Sequence, residues 1–175
     1  MSYFLDLFSP ETHETFGRSD RTVTGFRLAH NTIAKRVRPG DKFVCYLTRR
    51  SRWVGILRVL DGPFRDDTPL LMNESDPFVI RFHVKTLVWL PSGEGLPIHD
   101  ETIWSRLSFT KDRARTNPSW TGAIRSSLSR INDGDGEFLE SLLSKRASEA
   151  GSGAGEPTRS PKARSQRPRT SGDRS

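Results

Sequence analysis

Residues 77–90 constrain this chain more than any other segment: Phe78, Ile80, Phe82 and Val84 alternate with Arg81, His83 and Lys85. A period of two sustained over that length sorts apolar from polar side chains onto opposite faces, as a β-strand does. Such a strand needs partners. Lys42–Leu47 and residues 52–60 are rich in β-branched and aromatic residues, and the polar Thr48-Arg49-Arg50-Ser51 between them reads as a hairpin turn. Tyr3–Phe8 carries large apolar side chains on both faces, as a central strand does. Helical spacing is shorter. Residues 10–16 start with Ser9 as cap and Pro10 at the first helical position, and 28–37 stop at Pro39-Gly40. Residues 100–107 repeat Ile103, Trp104 and Leu107, while Phe138, Leu139, Leu142 and Leu143 stripe a last helix. Strands with short helices inserted early and late imply an α+β domain curled into a small barrel.

A chain of 175 residues holds about one domain plus tails, which excludes a two-domain enzyme. With 33% apolar residues, only part of it can be core. No run approaches the ~20 apolar residues of a membrane span, and the first residues lack a cleavage-like site. The single Cys45 excludes an internal disulfide and a cysteine zinc cluster. A cytoplasmic location without membrane contact is expected. The net charge of +7 is unevenly placed, because residues 151–175 hold six Lys and Arg against two Asp and Glu. That segment has no large apolar residue and cannot offset its own ordering, so a domain over 1–148 and a disordered basic tail over 149–175 are expected.

Familiar reactive motifs are missing. The sequence has no Gly-rich phosphate loop, no Gly-x-Ser-x-Gly and no His-Glu-x-x-His. His13, His30, His83 and His99 lack metal-site spacing, and Asp133-Gly-Asp-Gly-Glu137 fails as a calcium loop because Ile131 falls on a ligand position. Acidic residues at a helix N-terminus explain that run better. No cofactor and no catalytic pair are expected, and therefore no enzyme.

Three stretches together carry a resemblance: Tyr3-Phe-Leu-Asp-Leu-Phe-Ser-Pro10, Val23-Thr-Gly-Phe-Arg27, and Pro39-Gly-Asp-Lys-Phe-Val-Cys-Tyr-Leu-Thr48 followed by Arg52-Trp-Val-Gly-Ile-Leu. The sequence resembles the EVE domain, a PUA-like relative of the YTH domain, over about residues 3–145. The resemblance implies a PUA-like pseudo-β-barrel of five or six strands decorated by short helices. It also implies a pocket that takes one nucleobase, often modified, from DNA or RNA, beside a separate nuclease or effector of a restriction or defence system. Carried over by motif, the base pocket comprises Phe4, Ser9, Phe26, Arg27, Trp53 and Met72. Phe26 stands where YTH relatives have one cage wall, and Met72 where they have a second, tryptophan wall. Backbone phosphates fall to Arg49, Arg50 and Arg52 and to Lys111, Arg113 and Arg115, since phosphate contacts position a strand without reading it. Core packing is the competing role for Phe26, Trp53, Trp89 and Trp104, and Trp120 sits undecided among cations. A small-molecule sensor or protein-interaction barrel is the alternative function.

Removing residues 151–175 is expected to leave a cooperative thermal transition intact and to weaken polyanion binding at low salt. Loss of the transition would show that the domain extends into the tail.

Overall fold

The computed structural model describes residues 1–72 and 75–152. The chain forms strand β1 (Tyr3–Phe8), helix α1 (Pro10–Arg18), β2 (Val23–Phe26), a short α2 (Asn31–Ala34), and β3 (Lys42–Leu47). It continues with β4 (Arg52–Arg65), β5 (Ile80–Trp89), β6 (Leu96–Pro97), α3 (Glu101–Trp104), β7 (Arg130–Ile131) and α4 (Asp133–Ser152). One mixed sheet runs β2-β5-β4-β3-β1-β7, with β6 on β4. β1 is parallel to β3 and the remaining pairs are antiparallel. The curled α+β barrel expected from the sequence is present. Register shifts at Cys45/Tyr46 and at three places between β4 and β5 bend the long strands, which is how bulges curl a sheet.

Both faces of β1 are buried, and they separate two apolar clusters. Phe4 and Phe8 join Phe16, Phe26, Phe43, Leu57 and Phe82 in one cluster. Tyr3 and Leu5 join Trp53, Ile56, Ile98, Trp104, Leu139 and Leu143 in the other, under α3 and α4. A Cβ at Gly136 would fall 2.2 Å from the Tyr3 ring, so α4 can approach the sheet this closely only through glycine. α1 begins with the capping box of Ser9 and Thr12, each side chain accepting from the other's backbone N–H.

Three segments differ from expectation. Residues 28–37 form a 3-10 turn at Leu28–His30 and a single helical turn at Asn31–Ala34 rather than one helix. Neither has a side-chain cap, and only Ala34 of the seven is buried, so little holds a longer helix. Arg81, placed on the polar face by alternation, is 2% exposed. Its guanidinium donates to the carbonyls of Phe78 and Thr68 and lies 3.3 Å from Asp66 and 3.9 Å from Asp76. Asp76 in turn accepts the N–H groups of Leu70, Leu71, Met72 and Phe78, so this buried pair ties down the segment between β4 and β5. Lastly, α4 runs to Ser152, four residues past the expected domain end at 148. The rest of the basic tail, 153–175, lies outside the described residues.

β1 and β2 are not laddered to each other. Instead the Thr24 hydroxyl donates to Asp6 at 2.8 Å, with both residues buried. Burial pushes the Asp6 carboxyl from an ordinary 3.8 up to about 8, against the lowering effect of that hydrogen bond. An acid whose pKa rises on folding stabilises the fold fully below its unfolded value and loses that contribution as pH climbs through the folded one. Denaturant midpoints of the native protein are therefore expected to fall between about pH 4 and 8. Asp6→Asn should flatten that decline and be the more stable protein above pH 8. A wild-type curve that rises through this window would refute the assignment.

Candidate functional site

A cavity of about 620 Å³ lies where α1 crosses the end of the barrel, between Pro10 and His13 on one side and Trp89 and Pro91 on the other. Trp89 closes β5 and is wedged among aromatic rings. His13 stacks on it at 4.7 Å and 21°, while Phe16 and Phe8 lie at 4.6 and 5.1 Å in tilted and edge-on contacts. Gly17 matters here because a Cβ would come within 3.1 Å of the indole nitrogen. Burial holds the His13 pKa below its ordinary value, opposed by its bond to the Leu90 carbonyl. The neutral ring donates from Nε2 to that carbonyl at 3.0 Å. His13 is thus fixed as part of the wall.

Arg21 and Arg50 line the same cavity, and Arg21 and Trp89 are shared with an adjoining groove of about 520 Å³ that also holds Thr22, Lys85 and Thr86. The two form a continuous trough with Arg50, Arg21 and Lys85 along its length. Among the described residues, none of the three makes an ion pair. Two acids line the trough as well: Glu14 pairs with Arg18, while Asp20 accepts from Thr22 and keeps its charge, so the three cations outnumber it. The trough therefore carries unneutralised positive charge beside an aromatic wall.

The residues proposed from the sequence scatter. Phe26 is 2% exposed, packed at 5.3 Å from Phe43 and 5.9 Å from Phe82. Trp53 is fully buried on the other face of the sheet, edge-on to Tyr46. The two belong to separate apolar clusters and line separate cavities. Phe4 is core, Ser9 caps α1, and Met72 is 46% exposed. Phe26 and Arg27 do share a cavity, at the end of β2. Of the loop cations, Arg50 lines the trough, whereas Arg49 pairs with Glu11 and Arg52 donates to the carbonyls of Gly93 and Gly95. Arg113 donates to Ser119, Arg115 pairs with Glu101 over the Trp104 ring, and Lys111 is exposed. Trp120, left open by the sequence, is buried against Trp104 and His99. Sequence reasoning missed Arg21 and Lys85, and set Trp89 aside as core. Only the trough's geometry distinguishes them from other surface cations and core aromatics.

No known family profile matches the chain. A UPF0310 protein of Pyrococcus abyssi is 27% identical over 154 residues, covering 82% of this chain and 100% of that relative. Among solved structures, the YTH domain of Pho92 in complex with m6A superposes with a TM-score of 0.57 at 11% identity, covering 82% of this chain and 83% of that one. A YTH domain-containing protein, mmi1, solved with RNA gives 0.55 at 13%, over 81% and 80%. The fold is that of the YTH domains. Protein Atu2648 from Agrobacterium tumefaciens shares it too, with a TM-score of 0.53 at 17% identity over 82% of this chain and 95% of that one. The PUA-like architecture implied by the sequence resemblance is thus found in a YTH-type barrel. No helix among its described residues is long and apolar enough to cross a membrane.

Proposed function

We propose that this chain is a non-catalytic nucleic-acid-binding module that accommodates one base, preferentially a modified one, at the Trp89 end of the basic trough. The observation that carries this reading is the YTH fold, since structures of that fold are seen with RNA and with m6A. The trough supports it. Arg50, Arg21 and Lys85 track a phosphate backbone, while the apolar rings of Pro10, Pro91 and Trp89 receive a base. The trough replaces the wall formed by Phe26 and Trp53, because those side chains are consumed in packing on opposite faces of the sheet. The EVE resemblance adds a role as reader for a separate effector protein, such as the nuclease of a defence system.

The test is an affinity screen of short single-stranded RNA and DNA, with N6-methyladenine or plain adenine, across a salt titration. Affinity is expected to fall with salt by about 0.7 log units per log unit for each phosphate contacted. Arg50→Glu should reduce that slope, and Arg49→Glu, at a residue that lines neither groove, should change it less. Ser92→Trp fills the exposed rim of the cavity; it should erase the preference among bases while leaving the melting transition in place. Tight binding of a small ligand with no salt dependence, and none of oligonucleotides, would make the barrel a small-molecule sensor instead.

A further inference from the structure

A second cavity, about 280 Å³, opens where the end of β2 meets residues 125–127. It lies at the closure of the barrel. The far edge of β1 is covered there by the segment leading into β7: Leu5 exchanges backbone hydrogen bonds with Leu128 and Ser129, and the Leu7 N–H donates to Ser127 Oγ at 3.1 Å. Across the gap stand Arg27 and His30. His30 Nε2 is 3.2 Å from Ser126 Oγ, a contact that bridges 96 residues of sequence.

We propose that this cavity is a phosphate site, formed by Arg27 and Arg125 with the hydroxyl of Ser127. Three observations converge on it. Arg27 and Arg125 are both exposed at its rim, and among the described residues neither makes an ion pair, whereas Arg18, Arg49, Arg65, Arg81, Arg115, Arg130 and Arg146 all do. No carboxylate lines the cavity. The acid next in sequence to Leu7 is Asp6, buried and bonded to Thr24, with its carboxyl pushed up to about 8 and so largely uncharged at neutral pH. Among the described residues, no acid lines the cavity or pairs with either guanidinium group.

The donor inventory favours phosphate over a carboxylate. Two guanidinium forks approach from separate segments of chain, and each matches a pair of oxygens on a tetrahedral anion. The Arg27 guanidinium is steadied 5.3 Å over the Phe78 ring, so less of its freedom remains to be lost on binding. Ser127 Oγ accepts the Leu7 N–H, which leaves its own proton available to donate. His30 Nδ1 is buried without a partner among the described residues, an unspent polar group beside the site. The half-buried Leu7 supplies an apolar surface for the group that the phosphate esterifies, with Phe26 packed in the core beneath it. The site does not depend on where a base is seated, and stands or falls apart from the trough.

The test titrates the full chain with inorganic phosphate, with adenosine and its 5′-monophosphate, and with a single-stranded oligonucleotide. The monophosphate is expected to bind at least about tenfold more tightly than adenosine, the scale of one charge-assisted contact. Arg27→Ala and Arg125→Ala should each remove most of that difference, and Arg27→Lys and Arg125→Lys should restore part of it. Inorganic phosphate binding as tightly as the monophosphate would identify a free phosphate as the ligand. A response confined to the oligonucleotide, with the double variant losing about 0.7 from the salt slope, would identify a backbone phosphate. Both arginines are exposed, so native melting of the variants is expected and checks their fold. Folded Arg27→Ala and Arg125→Ala proteins that bind every probe as the parent does would overturn the site.

Discussion

The hydrogen bond from the Thr24 hydroxyl to the Asp6 carboxyl holds the first strand against the edge of the sheet, across a gap that no ladder bridges. Its position sets the rest. β1 pairs with β3 in parallel, so the chain must cross the barrel between them, and α1, β2 and α2 make that crossing. α1 then lies over one end of the barrel, where its Pro10 and His13 wall the trough. The other side of the same closure leaves the cavity between β2 and residues 125–127. Both openings are consequences of a sheet that curls round without zipping shut. A buried carboxyl at that point is costly when charged and tolerable when protonated. Cys45, opposite Asp6 in the β1–β3 register, shares the desolvated surroundings, and burial raises its thiol well above the ordinary range. It is therefore an inert packing residue rather than a nucleophile.

Electrostatics divides the surface arginines into two kinds. Arg49, Arg115 and Arg130 each face a carboxylate, and such exposed pairs add little to stability while cancelling local charge. Arg21, Arg27, Arg50 and Arg125 have no such partner among the described residues and line cavities. A cation in a concave, low-dielectric wall exerts a stronger field on an incoming anion than one on a convex face. Concavity and missing counter-charges coincide at two places on one barrel. That coincidence, more than the net charge of +7, is the basis for proposing a phosphate-bearing ligand.

Much of the fold was legible because period and punctuation are local. β1 and β3 begin and end where their apolar runs do, and Ser9-Pro10 marks the start of α1. Residues 28–37 misled because helical spacing was present without burial to support it. Arg81 misled for the opposite reason: alternation gave it to solvent, but Asp66 and Asp76, both on the connection between β4 and β5, lie against it. No local pattern announces such a pairing.

The candidate site was less legible than the fold, and the reason is register. Phe26 and Trp53 share an aromatic character and a flanking Arg, and on sequence alone either could face a pocket. The register shift at Cys45/Tyr46 turns the start of β4 so that Trp53 packs with Tyr46 beneath the helices. β2 pairs in register with β5, and Gly25 lets the Phe78 carbonyl approach to 2.7 Å of where a Cβ would sit, driving Phe26 inward onto Phe43 and Phe82. One bulge and one glycine thus send two similar residues to opposite faces. Arg27, immediately after Phe26, is left outside at the closure, where His30 and Arg125 arrive from segments far apart in the chain. The aromatic of the Gly-Phe-Arg motif belongs to the core, and its cation belongs to the exposed rim of the cavity at the closure.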